Sequence, residues 1–311
     1  MALKYSGMVK TVKGGSDFSL RAEVGESLLV RKIYAYSPND VYATLRIEKT
    51  TVGYFRVSPT YGSHLFFPNL VARDGATVIT PKRYNLLDLL FDLGIFKGYP
   101  IGEGETFYIS GVTGGSAFVT VVYDIYDAGD QKPDNENGSR ASEYFFINYG
   151  RVAGGIGGSG DFLYNKSANP VEFPVFPFGD DVPAKNEITI FGILGKEVGV
   201  RSSNTVTGIY TQFLKMIKER EVLFDKDRNG FLFDYSLVSG NQGTKMGGGC
   251  SQIGDFSSVD PREPLIFTEP LVFVGGEELN IYVTAKQEVE ETGIGELYTE
   301  IGLIEKVKKV T

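Results

Sequence analysis

Apolar and polar side chains alternate with a period of two along much of this chain. That pattern is the signature of strands with one face on a core and one in water. In Ser19–Val24, Leu20, Ala22 and Val24 point one way, and Ser19, Arg21 and Glu23 the other. Over Val41–Glu48, Val41, Ala43, Leu45 and Ile47 oppose Tyr42, Thr44, Arg46 and Glu48. Within Ala117–Tyr126, Val119, Val121, Tyr123 and Ile125 share a face. Further strands are expected at Leu28–Tyr36, Gly53–Val57, Glu105–Val112 and Glu143–Asn148. In the second half they are expected at Glu187–Gly192, Lys196–Ser202, Leu265–Val274, Glu278–Ala285 and Glu296–Lys306.

Turn residues are abundant enough to divide so many strands. The 311 residues include 39 Gly and 13 Pro, about a sixth of the chain, which fits a scaffold of short strands and turns. Two helices are expected to interrupt them. Tyr84–Leu93 has apolar residues on helical spacing, with Asn85 near its start and Gly94 as its stop. Gly208–Glu219 carries Ile209, Tyr210, Phe213, Leu214, Met216 and Ile217, an i, i+4, i+7 spacing.

Three segments organise the chain: an N-terminal β domain over 1–150, a connection over 151–186 and a C-terminal β domain over 187–311. The connection opens on the glycine-rich run from Arg151 to Gly160. It continues through Asn169-Pro-Val-Glu-Phe-Pro-Val-Phe-Pro177, extended and stiffened by proline. An internal repeat supports the two halves. Ile101-Gly-Glu-Gly-Glu-Thr-Phe-Tyr-Ile-Ser110 resembles Val274-Gly-Gly-Glu-Glu-Leu-Asn-Ile-Tyr-Val283. In each copy an apolar residue leads into a Gly/Glu turn and then an alternating strand. The copies lie about 170 residues apart, and the simplest account is two similar β sandwiches in tandem.

Composition narrows the chemistry. One cysteine, Cys250, excludes an intramolecular disulfide and Cys-cluster metal sites. One histidine, His64, excludes multi-His metal sites. Neither has the context of a nucleophile or base: no G-x-S-x-G elbow is present, and Cys250 lies in Gly247-Gly-Gly-Cys-Ser. Gly155-Ile-Gly157-Gly-Ser-Gly160 matches G-x-G-x-x-G by letter, but no helix pattern follows it to receive a pyrophosphate. Carboxylate pairs such as Asp180-Asp181 and Glu290-Glu291 are not singled out from an acidic surface. The expectation is a protein that is not an enzyme and has no cofactor. With no Trp, the best flat platform for a sugar is missing, although Tyr can substitute.

One metal site stands as a candidate. Asp225-Lys-Asp-Arg-Asn-Gly230 matches the start of a calcium loop, with Asp225, Asp227 and Asn229 as ligands and Asp234 as a partial substitute for the missing bidentate Glu. Position twelve is Ser236. The competing reading, which the local pattern favours, is a type I′ hairpin turn at Asn229-Gly230 between two arms, Val222–Asp225 and Phe231–Val238.

The formal net charge is −8, so phosphate neutralisation, and with it direct nucleic-acid binding, is not expected. The first acidic residue is Asp17, which leaves a basic N-terminal arm with Lys4, Lys10 and Lys13. The other end carries Lys306, Lys308 and Lys309. These ends are solvated or rest on anionic lipid. The start shows no apolar h-region, and no apolar stretch reaches about 18 residues. A soluble chain made and assembled in a cytoplasm is expected.

Two β domains without Trp, a short helix in each half, the repeated Gly/Glu turn, long Gly- and Pro-rich loops and a basic arm go together. In this architecture the chain resembles the double jelly-roll major capsid proteins of tailless icosahedral viruses with an internal membrane. The resemblance implies a mainly β fold of two tandem jelly-rolls. It also implies a homotrimer of pseudo-sixfold outline that tiles an icosahedral virion shell. The implied partners are its own copies and neighbouring capsomers, minor capsid proteins and an internal lipid membrane. Loops such as Asp127–Ser142 and Ser239–Ser258 would serve as towers or neighbour contacts. The alternative is a surface or tail-associated β-sandwich adhesin that holds glycan or protein.

Overall fold

The computed structural model describes residues 2–39, 41–58, 62–63, 72–74, 77–79, 86–131, 143–151, 160–163, 182, 184–201, 208–224, 231–238, 245–247, 254–255, 265–287 and 296–310. The chain is mainly β and divides into two compact units. The first holds Met1–Ile147 with Phe256–Pro261 and Lys306–Lys309. The second holds Asn148–Asp255, Arg262–Glu305 and Val310–Thr311.

In chain order the first elements are β1 Leu3–Lys13, β2 Phe18–Arg21, β3 Glu26–Tyr36, β4 Val41–Ile47, β5 Thr50–Ser58, β6 Gly62–Ser63, β7 Ala72–Asp74 and β8 Thr77–Ile79. The helix α1 Leu86–Asp92 follows, then β9 Tyr99–Ile101, β10 Thr106–Ser110, β11 Phe118–Asp127 and β12 Glu143–Arg151. One sheet of the first unit runs β1-β11-β3-β9, and the other runs β12-β5-β4-β10-β2. Alternation places the core: Val30, Ile33 and Ala35 of β3, Val119 and Val121 of β11, Ala43, Leu45 and Ile47 of β4, and Phe107 and Ile109 of β10 are buried. A ring contact between Tyr99 and Phe107, 5.8 Å between centroids, joins the two sheets.

Three stretches each give one strand to each sheet: β1 with β2, β3 with β4, and β10 with β11. Their corners are tied together. The Gly14 N–H donates to the Ala117 carbonyl at 2.9 Å, and the Ser37 hydroxyl donates to the Thr113 carbonyl at 2.8 Å. Buried polar groups at a sheet corner need such partners because the ladders end there.

Helix α1 forms where the spacing predicts, and Gly94 stops it with φ 71°. It buries Leu86, Leu87 and Leu90 and is held to β3 by a 2.9 Å ion pair between Asp88 and Lys32. Hydrogen bonding to Asp88 holds the Lys32 ammonium above its ordinary value, against the opposing effect of burial.

The basic arm is not a free tail. It forms β1, an edge strand paired with β11 through two register shifts. Its alternation gave little signal because it has no buried face: every residue but Val12 is exposed.

The second unit begins within β12 and continues with β13 Gly160–Leu163, β14 Asn186–Arg201, β15 Gly208–Lys218, β16 Glu221–Phe224, β17 Phe231–Val238, β18 Lys245–Gly247 and β19 Gly254–Asp255. The last elements are β20 Leu265–Val274, β21 Leu279–Gln287 and β22 Glu296–Lys309. One sheet of this unit runs β13-β21-β15-β17-β18, with β16 also on β15. Elsewhere β14 pairs with β19, β20 and β22.

Two expectations fail here. Gly208–Glu219 is strand β15 rather than a helix, so α1 is the one helix among the described residues and not one of a pair. Its dense run of Ile, Tyr, Phe, Leu and Met satisfies a helical stripe and a doubly paired strand equally. Pairing with β21 on one edge and with β16 and β17 on the other decides for the strand. Similarly, Glu187–Gly192 and Lys196–Ser202 are not two strands, because β14 is continuous across Gly195. The glycine there is accommodated by a change of partner, from β20 to a parallel pairing with β19.

The sequence repeat proves to be a repeat of hydrogen bonds. In the first unit the Gly102 N–H donates to the Glu105 carboxylate at 2.8 Å. In the second the Val274 N–H donates to the Glu277 carboxylate at 2.8 Å. Ala22 exchanges backbone bonds with Gly104 and Glu105, and Val182 exchanges the same pair with Gly276 and Glu277. The Thr106 N–H donates to the Glu48 carboxylate at 2.6 Å, and the Glu278 N–H to the Glu219 carboxylate at 2.8 Å. Both Glu48 and Glu219 sit at positive φ, 51° and 56°. The equivalence is therefore Gly104 with Gly276 and Glu105 with Glu277, one residue away from the match by letter. Both glycines turn through positive φ, 80° and 87°, which an L side chain resists. The Ala128 N–H donates to the Gly25 carbonyl as the Val310 N–H donates to the Lys185 carbonyl. That relation puts Glu305 where the first unit has Tyr123.

Candidate functional site

The residues singled out for chemistry do not converge within the described part of the chain. Asp225, Asp227 and Asn229 lie outside the described residues, as do His64, Cys250, Asp180-Asp181 and Glu290-Glu291. Asp234 is on β17, opposite Gln212. Among the described residues, the expected hairpin arms do not pair with each other. Both β16 and β17 pair with β15, and the chain reverses at Glu219-Arg220, where Lys218 faces Glu221. On the same edge of β15, Phe224 of β16 faces Met216 and Phe231 of β17 faces Leu214. Among the described residues, no group of three or more His, Cys, Asp or Glu is placed to hold a metal ion. No helix among them is long and apolar enough to cross a membrane.

A site that sequence reasoning missed lies in the first unit, a cavity of about 730 Å³. Leu29 and Arg31 of β3, Tyr99 of β9 and Tyr126 of β11 line one side; Ile47 of β4, Val52 of β5 and Phe145 of β12 line the other. The segment from Ile95 to Gly98, just after α1, also lines it. Its aromatic wall is ordered. Phe96 stacks on Phe145 with centroids 4.1 Å apart and planes 12° apart, and meets Tyr99 edge-on at 4.9 Å. Burial pushes the Tyr99 phenol up, and its hydroxyl has no hydrogen-bond partner among the described residues.

Charges at the mouth have distinct states. The Lys306 ammonium and the Glu143 carboxylate pair at 3.0 Å. The Asp124 carboxylate accepts from the Ser6 hydroxyl at 2.8 Å and from the Gly7 N–H at 2.9 Å. The Arg31 guanidinium lies 3.9 Å over the Phe91 ring and donates one Nη1–H to the Lys97 carbonyl at 2.5 Å. No carboxylate pairs with it among the described residues.

Gly98 makes this arrangement possible. Its φ is 127°, and a Cβ there would run into the Val30 carbonyl oxygen. The chain after α1 can thus lie directly on β3 and bring Phe96 over Phe145. Gly98→Ala is expected to lower stability by about 1–3 kcal/mol, the scale of a non-glycine residue forced into this backbone region. Urea unfolding of the two proteins, followed by tyrosine fluorescence, measures the difference.

No protein-family model matches the chain, and no curated protein matches it. Among solved structures the chain is similar to PNGase F, a glycosylasparaginase from Flavobacterium meningosepticum. Identity is 10%, coverage 100% of this chain and 94% of that one, and the TM-score 0.30. It is also similar to a structure of infectious bursal disease virus Gx strain, at 9% identity, 98% and 73% coverage and a TM-score of 0.22. Likenesses of this size assign no activity. The expectation that the chain is not an enzyme is nevertheless corrected, on its own premise. Few His and Cys residues leave carboxylate chemistry untouched, so composition does not exclude catalysis from a chain with 39 Asp and Glu.

Proposed function

We propose that the chain is a structural protein, a major capsid protein of two tandem jelly-rolls that assembles as pseudo-hexameric homotrimers into an icosahedral virion shell. The observation that carries this reading is the duplicated turn network, with Glu48, Gly104 and Glu105 in one unit matched by Glu219, Gly276 and Glu277 in the other. Two similar β units per chain and three chains per ring give six near-equivalent walls, a shape that tiles. Neighbouring copies, minor capsid proteins and an internal lipid layer are the partners of such a shell, built in the host cytoplasm.

Strand β1 supplies an edge for self-association. Leu3, Tyr5 and Val9 are more than half exposed, and an open strand edge with apolar side chains invites a further chain. Its lysines precede the first acidic residue, whereas the whole molecule has net charge −8, so a second copy offers the complementary sign. Light scattering and electron microscopy of the purified protein test the reading. Hexagon-outlined trimers are expected, and a monodisperse monomer at all concentrations refutes it. The double variant Leu3→Asp, Val9→Asp should yield monomers with an unchanged melting temperature, because both side chains are exposed.

A further inference from the structure

We propose that the cavity of the first unit is a binding site for a ring-borne carboxylate, of the class found in acidic sugars. The proposal does not depend on the shell reading. Its basis is the unequal state of the charges around one aromatic wall.

The Lys306 ammonium is neutralised by Glu143 at 3.0 Å. The Asp124 carboxylate accepts from two donors of β1, both at Oδ1. Arg31 differs: its guanidinium is positioned by the Phe91 face and by one bond to the Lys97 carbonyl. Its remaining N–H donors have no partner among the described residues. A guanidinium so fixed keeps a planar fork whose natural complement is a carboxylate held by two parallel hydrogen bonds. Since Phe91 and Lys97 already hold it, little rotamer freedom is lost when a ligand arrives.

Beside it, the stacked rings of Phe96 and Phe145 and the edge-on Tyr99 present apolar surface. A ligand that reaches both must carry its carboxylate on a compact ring with an apolar face. The volume, about 730 Å³, falls in the range of small-molecule sites and holds one or two such rings. Gln131, Tyr126 and Tyr144 also line the cavity and supply the amide and hydroxyl groups that ring hydroxyls would meet.

The test titrates the full-length protein with the methyl glycoside of N-acetylneuraminic acid, with glucuronic acid, with glucose and with benzoate, read by calorimetry and by ligand-observed NMR. Both acidic sugars should bind, and glucose about tenfold or more weakly, since a charge-assisted fork is lost. Comparable binding of benzoate would assign the site to ring carboxylates in general. Binding confined to the sugars would assign it to acidic saccharides. Arg31→Gln should weaken the acidic ligands by about tenfold or more and leave glucose unchanged. Glu143→Gln, at a half-exposed position, should strengthen them by releasing the Lys306 charge, so the two variants move in opposite directions. Circular dichroism of Arg31→Gln separates loss of the site from loss of the fold. Equal affinity for glucose and the acidic sugars, no binding by any of the four, or tighter binding by Arg31→Gln would each overturn the proposal.

Discussion

Raising the pH from about 5 to about 9 is expected to cost the folded protein about 4 kcal/mol at one side chain, Glu305. Its carboxyl is fully buried on β22, and neither oxygen has a hydrogen-bond partner among the described residues. Burial pushes it up to about 8, from an ordinary 4.5. The sign follows from proton counting. Below 4.5 both folded and unfolded chains carry the proton, and this group adds no pH dependence. Between 4.5 and 8 the unfolded chain has released it while the folded chain retains it. Stability therefore falls steadily across that window and levels off above 8. Glu305→Gln keeps the shape and removes the titration. Urea unfolding of both proteins at the two pH values should give a much flatter profile for the variant and a more stable variant at the higher pH. Parallel profiles would show that Glu305 ionises freely in the fold.

The second large effect is expected from Phe107→Ala, with a loss of about 3–5 kcal/mol. Phe107 is fully buried on β10, a strand with neighbours on both edges: it faces Leu20 of β2 and Ile47 of β4. Its ring also meets Tyr99 of the opposite sheet, so truncation opens a void between two sheets that are each held by their own ladders and collapse little. With two units in the chain, unfolding need not be two-state. Hydrogen exchange by mass spectrometry is the suitable measurement, and it should show faster exchange in β4, β9 and β10 than in β15 and β21. Uniform loss of protection across both units would mean that they unfold as one.

These residues mark how far the sequence could be read. Glu105 and Glu277 lie in the repeated Gly/Glu turn that the letters reveal, yet the letters align Glu105 with Glu278. Only the backbone bonds fix the register, because the carboxylate must reach back three residues to the N–H it caps. Glu305 looked like one more charge beside a basic end. Its burial depends on alternation with Leu303 and Val307, both buried. Lys218 also reads as a surface cation; it pairs with Glu277 at 3.0 Å. Although burial acts to raise the Glu277 carboxyl, the Val274 N–H and the Lys218 ammonium together hold it below its ordinary value.

The cavity was illegible for a different reason. Arg31, Phe96, Phe145 and Lys306 come from four separate stretches, and none stands in a motif. A weak clue was the apolar cluster Leu86–Phe96, longer than the helix it contains, whose last aromatic had to cover something.

Period-two alternation, abundant glycine and the repeated turn by themselves determined a mainly β chain with an internal duplication, since strand faces and turn backbones are written in local residue order. Whether the run at Gly208 becomes helix or strand, which carboxyl is buried and which cation keeps its fork open were decided only in the tertiary structure. Each depends on partners many residues away, and a local pattern carries no record of what will pack against it.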